Sequence, residues 1–342
     1  MNATLARSTN LVGEKTMRAI TQHEYGLDPE QLLVETDVQR PAAREGEVLV
    51  QVAAASVDRG TWHLLTGRPQ LMRLMGFGVR RPKALNPGRS FAGIVVEIGH
   101  GVTQVQPGDE VYGTADGSFA EYVAADIGKV ARKPANLTFE QAAATPVSGV
   151  TALQAVRDEA RIEADQRVLI LGASGGVGTF LVQLAKASGA HVTGVASTSK
   201  IDIVRALGTD DAIDYRLHDA LDGTRTYDVI LDTGGNRSLA DVRRALAPTG
   251  TLVIVGGENE GRWLGGFARN LKAMALAPFA RGQRLRSLAS TENAADLDAL
   301  RVIIERGDVT PAIDRTYTLS ETASAIRRLM DGEARGKIVI RV

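Results

Sequence analysis

Leu169-Ile170-Leu171-Gly172-Ala173-Ser174-Gly175-Gly176-Val177-Gly178 is the stretch on which the fold of this chain turns. The apolar run reads as a buried strand, the glycines as a tight turn, and Thr179 to Ala187 as an amphipathic helix. A turn from strand into helix can bring backbone amides close to an anion, and Gly175, Gly176 and Gly178 permit this because they lack a Cβ. The helix start adds amide donors and the positive end of its dipole, so the ligand expected here is a dinucleotide pyrophosphate. Ala173 stands where that fingerprint usually has its first glycine, making the pattern A-x-G-x-x-G.

Strand and helix alternate around this turn. Val168 to Leu171, His191 to Ala196, Val229 to Asp232 and Thr251 to Val255 read as strands; Phe180 to Ser188, Ser199 to Leu207 and Ser238 to Leu246 read as helices. Such alternation predicts a doubly wound parallel sheet. From Met17 to about Ala135 the rhythm is different: Val48 to Val52 and Phe91 to Gly99 are β-rich, and turns at Gly101, Pro107-Gly108-Asp109 and Asp116-Gly117 break up the remainder. The expected fold is therefore α/β in two parts. Residues 1–16 are a flexible tail, 17–137 a mostly-β domain completed by about 310–342, and 138–309 the nucleotide-binding domain.

The chain has 342 residues, 40 Lys plus Arg and 40 Asp plus Glu, so its zero formal charge gives no global attraction to nucleic acid. Cysteine is absent and histidine occurs five times without paired spacing. Disulfides, thiol nucleophiles and thiolate metal sites are excluded. No stretch nears the roughly 20 apolar residues of a membrane span, and the first 16 residues lack an apolar signal core, so the expected compartment is the cytoplasm.

The end of the second strand distinguishes the dinucleotides. An NAD site usually carries an acid there for the ribose 2′-hydroxyl, whereas this chain reads Ala196-Ser197-Thr198-Ser199-Lys200 with no acid before Asp202. Hydroxyls and a lysine suit a 2′-phosphate, so NADPH is the expected cofactor, with Arg205 as a further aid. The bland alternative is that Lys200 is a solvated residue opening a helix.

Two segments, Gly93-Ile94-Val95-Val96-Glu97-Ile98-Gly99 with Pro107-Gly108-Asp109-Glu110-Val111, and the turn Gly172 to Gly178, together resemble the medium-chain dehydrogenase/reductase superfamily. Trp62-His63-Leu64, Ala212-Ile213-Asp214-Tyr215, Gly261-Arg262-Trp263-Leu264-Gly265-Gly266 and Ala334-Arg335-Gly336-Lys337 direct the resemblance to its zinc-independent, quinone oxidoreductase-like branch. It implies a GroES-like first domain, a Rossmann second domain, and NADPH in the cleft between them. By similarity, Ser174, Gly176, Val177, Ser197, Lys200 and Tyr215 are cofactor contacts; Tyr215 could equally be an aromatic closing the third strand. At the ligand positions of zinc-containing relatives this chain has Asp58 and Gly88-Arg89-Ser90, so no metal is expected. Asp58 stands where the branch commonly carries Asn, and Thr61 and Ser90 each replace a usual Asp. Asp58 and Arg89 are thus either an ion pair filling the vacated position or catalytic groups.

Without a Lewis acid, the chemistry should need less activation than an alcohol or simple aldehyde does. Hydride addition to a quinone or an α,β-unsaturated carbonyl meets that condition, because a hydrogen-bond donor can stabilise the delocalised oxyanion. Candidate donors are Arg89, Ser90, His63 and Tyr112, each with a structural alternative. Arg68 to Lys83 and Trp263 to Phe279 are apolar stretches flanked by cations, expected to form short helices or lids over a cleft for a small hydrophobic substrate, although the second suits a core or homodimer interface better than a pocket. An enoyl-thioester reductase, with Arg80, Arg81 and Lys83 as a phosphate patch, and an NADPH-binding regulatory protein are the alternative functions.

Overall fold

The computed structural model describes residues 15–256, 263, 265–280 and 282–342. Most of the expected tail, and Gly261, Arg262 and Leu264 of the tryptophan segment, lie outside the described residues. Strands β1 (Thr16–Thr21) and β2 (Val34–Gln39) form an antiparallel pair. A seven-stranded sheet comes next, containing β3 (Glu47–Val57), β4 (Ser90–Ile98), β5 (Glu110–Thr114), β6 (Tyr122–Asp126) and β7 (Val130–Arg132). The chain then builds a six-stranded parallel sheet from β8 (Arg167–Leu171), β9 (His191–Ala196), β10 (Asp211–Asp214), β11 (Tyr227–Asp232), β12 (Leu246–Ile254) and β13 (Arg284–Ser287). Finally, β14 (Ile313–Thr318) and β15 (Lys337–Arg341) return to the first sheet, where β15 pairs antiparallel with β3.

The parallel sheet runs β10-β9-β8-β11-β12-β13, so strand order reverses beside β8. A ligand crevice forms at such a reversal, beyond the carboxyl ends of the strands. Helices cover both faces, which is why Val168, Leu169 and Ile170 are all fully buried. The helix Gly176–Ala187 turns Phe180, Leu181 and Leu184 inward beside this sheet.

One apolar core crosses the domain junction. Ala54 of β3, Ala92 of β4 and Tyr112 of β5 share it with Ile170, Phe180, Leu300 and Val339. The alternate positions, Ala55 and Phe91, face the other way into the core of the first domain. Alternation along these strands therefore assigns one face of the first sheet to the parallel-sheet domain.

Two segments depart from the sequence expectation. The helix expected over Ser238 to Leu246 ends at Arg244, and β12 already begins at Leu246, because Pro248 and Gly250 do not suit a helix and a register shift lets the strand absorb them. Strand β13 is Arg-Leu-Arg-Ser, without the apolar run that marks a buried strand; it lies at the sheet edge, where charge discourages unwanted pairing.

Candidate active site

Gly172 sits at φ +83°, a conformation that favours glycine, and a Cβ there would lie 2.3 Å from the Thr233 hydroxyl. A Cβ on Gly178 would lie 2.1 Å from the Gly172 carbonyl oxygen. Both glycines are therefore required by packing of the turn against itself and against the end of β11. The helix Gly176–Ala187 has no side-chain cap. Its first amides, on Gly176, Val177 and Gly178, are the donors a helix start leaves for an anion. This cradle fits a pyrophosphate.

Two residues of the fingerprint play another part. Ala173 is fully buried and its amide donates to the Val195 carbonyl at 3.0 Å, while the Gly175 amide closes the turn onto Gly172 at 3.1 Å. Their amides build the cradle and are not offered to a ligand. Gly194 on β9 faces this turn: an added Cβ would stand 2.4 Å from Val204 and 3.2 Å from the Ala173 Cβ. The Ser174 carbonyl accepts from the Gly336 amide at 2.9 Å, which brings the C-terminal turn of the first domain over the cradle.

Ser197, Lys200 and Tyr215 come together at the carboxyl ends of β9 and β10. The Tyr215 amide donates to Ala196 at 3.1 Å and the Ser197 and Ser199 hydroxyls are 3.4 Å apart. The Lys200 ammonium is tethered to the carbonyls of Gly332 at 2.5 Å and Ala334 at 2.7 Å. Lys200 opens the helix Ile201–Ala206, as the bland alternative had it, but its ammonium is tied to the C-terminal turn instead of being left to solvent. Asp214, the nearby acid at the end of β10, has its pKa lowered chiefly by the Thr198 hydroxyl, with the Arg216 amide also bonded to it.

The first-domain candidates separate. Asp58 is the N-cap of the helix Arg59–Thr66, its Oδ1 accepting from the Thr61 amide in a reciprocal capping box, while its buried Oδ2 has no partner. Arg89 does not pair with Asp58. It reaches Asp116 at 3.1 Å and, across the junction, Glu292 at 2.5 Å. Burial opposes its charge, yet Glu292, aided by Asp116 and more weakly Asp58, raises its pKa. Glu292 supplies the strong contact that sequence proximity to the vacated metal position had pointed toward Asp58. His63 donates from Nδ1 to the Arg68 carbonyl at 2.6 Å, and burial holds its pKa below the ordinary imidazole value. Tyr112 is fully buried and its hydroxyl donates to the Leu297 carbonyl at 2.6 Å, with burial driving its pKa far up. It is a strut between domains, and the expectation that it donates to a substrate is corrected.

Ser90 remains, and the structure adds neighbours that sequence reading missed. Ser56 pairs with Ser90 across β3 and β4, and Ser90 with Thr114 across β4 and β5. All three are buried and their hydroxyls have no partner. They lie one step along from Ala54, Ala92 and Tyr112 on the face turned toward the cofactor domain. At the edge of this row Lys337 is 1% exposed, and its ammonium donates to the Val57 carbonyl at 3.1 Å and Ser148 Oγ at 3.2 Å. Its Cδ lies 3.1 Å from where a Gly176 Cβ would be. Burial lowers its pKa, and Asp58 acts in the opposite direction. Lys337 was legible only as part of a resembling motif; alternation along β15 would have placed it on the Val339 face.

A switch-point cradle, a corner of hydroxyls and a lysine beside it and a polar row from a GroES-like sheet define a two-domain nicotinamide oxidoreductase. The alcohol dehydrogenase GroES-like domain family matches residues 44–135, and the zinc-binding dehydrogenase family matches 207–340. The mitochondrial NAD(P)H oxidoreductase RTN4IP1 of Mus musculus is 32% identical over 327 residues, covering 86% of this chain and 82% of that protein. The 2-methylene-furan-3-one reductase of Solanum lycopersicum is 30% identical over 347 residues, covering 97% and 81%. Among solved structures, the quinone oxidoreductase from Coxiella burnetii aligns with TM-score 0.81 and 30% identity over 96% of this chain and all of that one. The chain belongs to the medium-chain dehydrogenase/reductase superfamily, in its zinc-independent, quinone oxidoreductase-like branch.

Proposed function

We propose that this protein is an NADPH-dependent reductase of quinones or α,β-unsaturated carbonyls that works without a metal. The observation carrying the reading is the cradle at Gly172 to Gly178 beside a β9 end that offers Ser197 and Lys200 in place of an acid. Relatives named as a 2-methylene-furan-3-one reductase, an alkenal/one oxidoreductase and quinone oxidoreductases support the substrate class. Zinc does not fit. Cysteine is absent, and no group of three His, Asp or Glu among the described residues stands together to hold a metal.

When bound, NADPH supplies the hydride. The Gly176 and Val177 amides hold its pyrophosphate, while Ser197, Lys200 and Tyr215 hold the phosphorylated ribose. Ser90, flanked by Ser56 and Thr114, donates to the oxygen on which negative charge develops, and the buried junction excludes water. Arg89, clamped to Glu292 and Asp116, holds the start of β4 against the second domain without contacting the substrate. The exposed face of the helix Phe267–Leu276, with Leu271 and Met274 beside edge strand β13, suits a homodimer. Reduction of an enone with NADPH deuterated at its reactive carbon tests the chemistry: deuterium at the β-carbon is expected, and deuterium at a carbinol carbon contradicts it.

A further inference from the structure

The chain is neutral as a whole, but its charge is unevenly placed. Residues 59–96 contain seven Arg or Lys and no Asp or Glu. Within that stretch, the helix Gln70–Met72 runs into a wide turn, Arg73–Phe77, and the side chains at and just beyond this turn point outward. Leu74 is 69% exposed, Met75 62% and Val79 61%, and Arg80, Arg81 and Lys83 are exposed beside them. Trp263, 67% exposed, joins this surface, because its carbonyl accepts from the Leu71 amide at 3.2 Å.

The protrusion is braced. Arg73 bonds the Thr66 and Gly67 carbonyls at 3.1 and 2.9 Å and stacks on Tyr25. The Tyr25 hydroxyl donates to Phe77 at 2.7 Å and Gly78 at 2.9 Å, and the Lys83 amide closes the tip onto Phe77 at 2.9 Å. The supporting segment brings two acids, Glu24 and Asp28, the latter paired with Arg327. Apolar side chains held outward on a cationic base are therefore a property of the folded protein; of the stretch expected to form short helices or a lid over the cleft, Gln70–Met72 is a short helix and the tip beyond it faces outward.

We propose that this surface docks on an anionic lipid bilayer, with Leu74, Met75, Val79 and Trp263 entering the interface and Arg80, Arg81 and Lys83 meeting lipid phosphates. Charge complementarity chooses this occupant. A second copy applied by two-fold symmetry would set like charges against each other. Nucleic acid would satisfy the cations but leave the apolar tip against phosphate, whereas a bilayer takes both groups at once. The tip leads directly into Gly88-Arg89-Ser90, so an apolar substrate dissolved in lipid would be met beside the candidate site; that meaning rests on the proposed reductase activity, whereas vesicle binding does not.

Flotation of the full chain with phosphatidylcholine vesicles, with and without about 30% phosphatidylglycerol, tests the docking. Binding should require the anionic lipid and fall with salt. The triple variant Arg80→Glu, Arg81→Glu, Lys83→Glu should partition more weakly by at least about 100-fold, with melting temperature and NADPH affinity unchanged. Leu74→Ser with Met75→Ser should also weaken it. Trp62 is buried, so a blue shift of tryptophan emission on vesicle addition should disappear in Trp263→Tyr. No partitioning at low salt, equal partitioning on neutral vesicles, or an unaffected triple variant overturns the proposal. Duplex DNA bound as tightly as the vesicles also overturns it, by showing a surface for polyanions at large.

Discussion

Lys200 and Tyr112 show how differently two polar residues of one cleft can be employed. Lys200 ties the corner at the ends of β9 and β10 to the C-terminal turn through two carbonyls. If it also meets the 2′-phosphate, Lys200→Ala should weaken NADPH binding by about 10- to 100-fold and leave NADH binding nearly unchanged. Isothermal titration with both cofactors checks this; equal losses for both would reduce Lys200 to a domain tie. Tyr112→Phe leaves the Leu297 carbonyl without its buried donor and should lower stability by about 1–3 kcal/mol. Chemical denaturation measures that loss, with NADPH affinity expected to stay constant. Ser90 was legible as a candidate because it replaces an acid in a resembling motif. Ser56 and Thr114 were not, because their relation to Ser90 is a cross-strand register spanning dozens of residues, which no local pattern records.

At the scale of elements, the β8 strand, glycine turn and helix were readable because strand burial, missing Cβ atoms and helical spacing all fall within some twenty consecutive residues. Gly178→Ala tests the packing half of that reading. Alanine in a helix ordinarily gains about 1 kcal/mol over glycine, but here its Cβ would meet the Gly172 carbonyl oxygen at 2.1 Å. The variant should therefore lose stability and bind NADPH poorly; a raised melting temperature would show that the turn can relax. Strand β13 escaped reading because its edge position removes the apolar signature on which strand recognition depends. The Arg68 to Lys83 stretch was correctly read as containing a short helix, but composition alone could not say that its apolar side chains face outward.

For the molecule as a whole, the two domains are joined by a core through Ala54, Ala92 and Val339, by Tyr112 to Leu297, and by Arg89 to Glu292. The last of these takes the place of the Asp58–Arg89 ion pair, one of the two roles the sequence left open to those residues, since the partner comes from a segment about 200 residues away. A double-mutant cycle of Arg89→Gln and Glu292→Gln, monitored by thermal unfolding, should show coupling, whereas one of Arg89→Gln and Asp58→Asn should show little. Metal-free, NADPH-dependent reduction is tested most directly by the initial rate of cofactor oxidation with quinones and enones after exhaustive chelation. Full activity with NADPH, far slower turnover with NADH, and none with simple aldehydes is the predicted result; activity that disappears with the chelator and returns with zinc would contradict it.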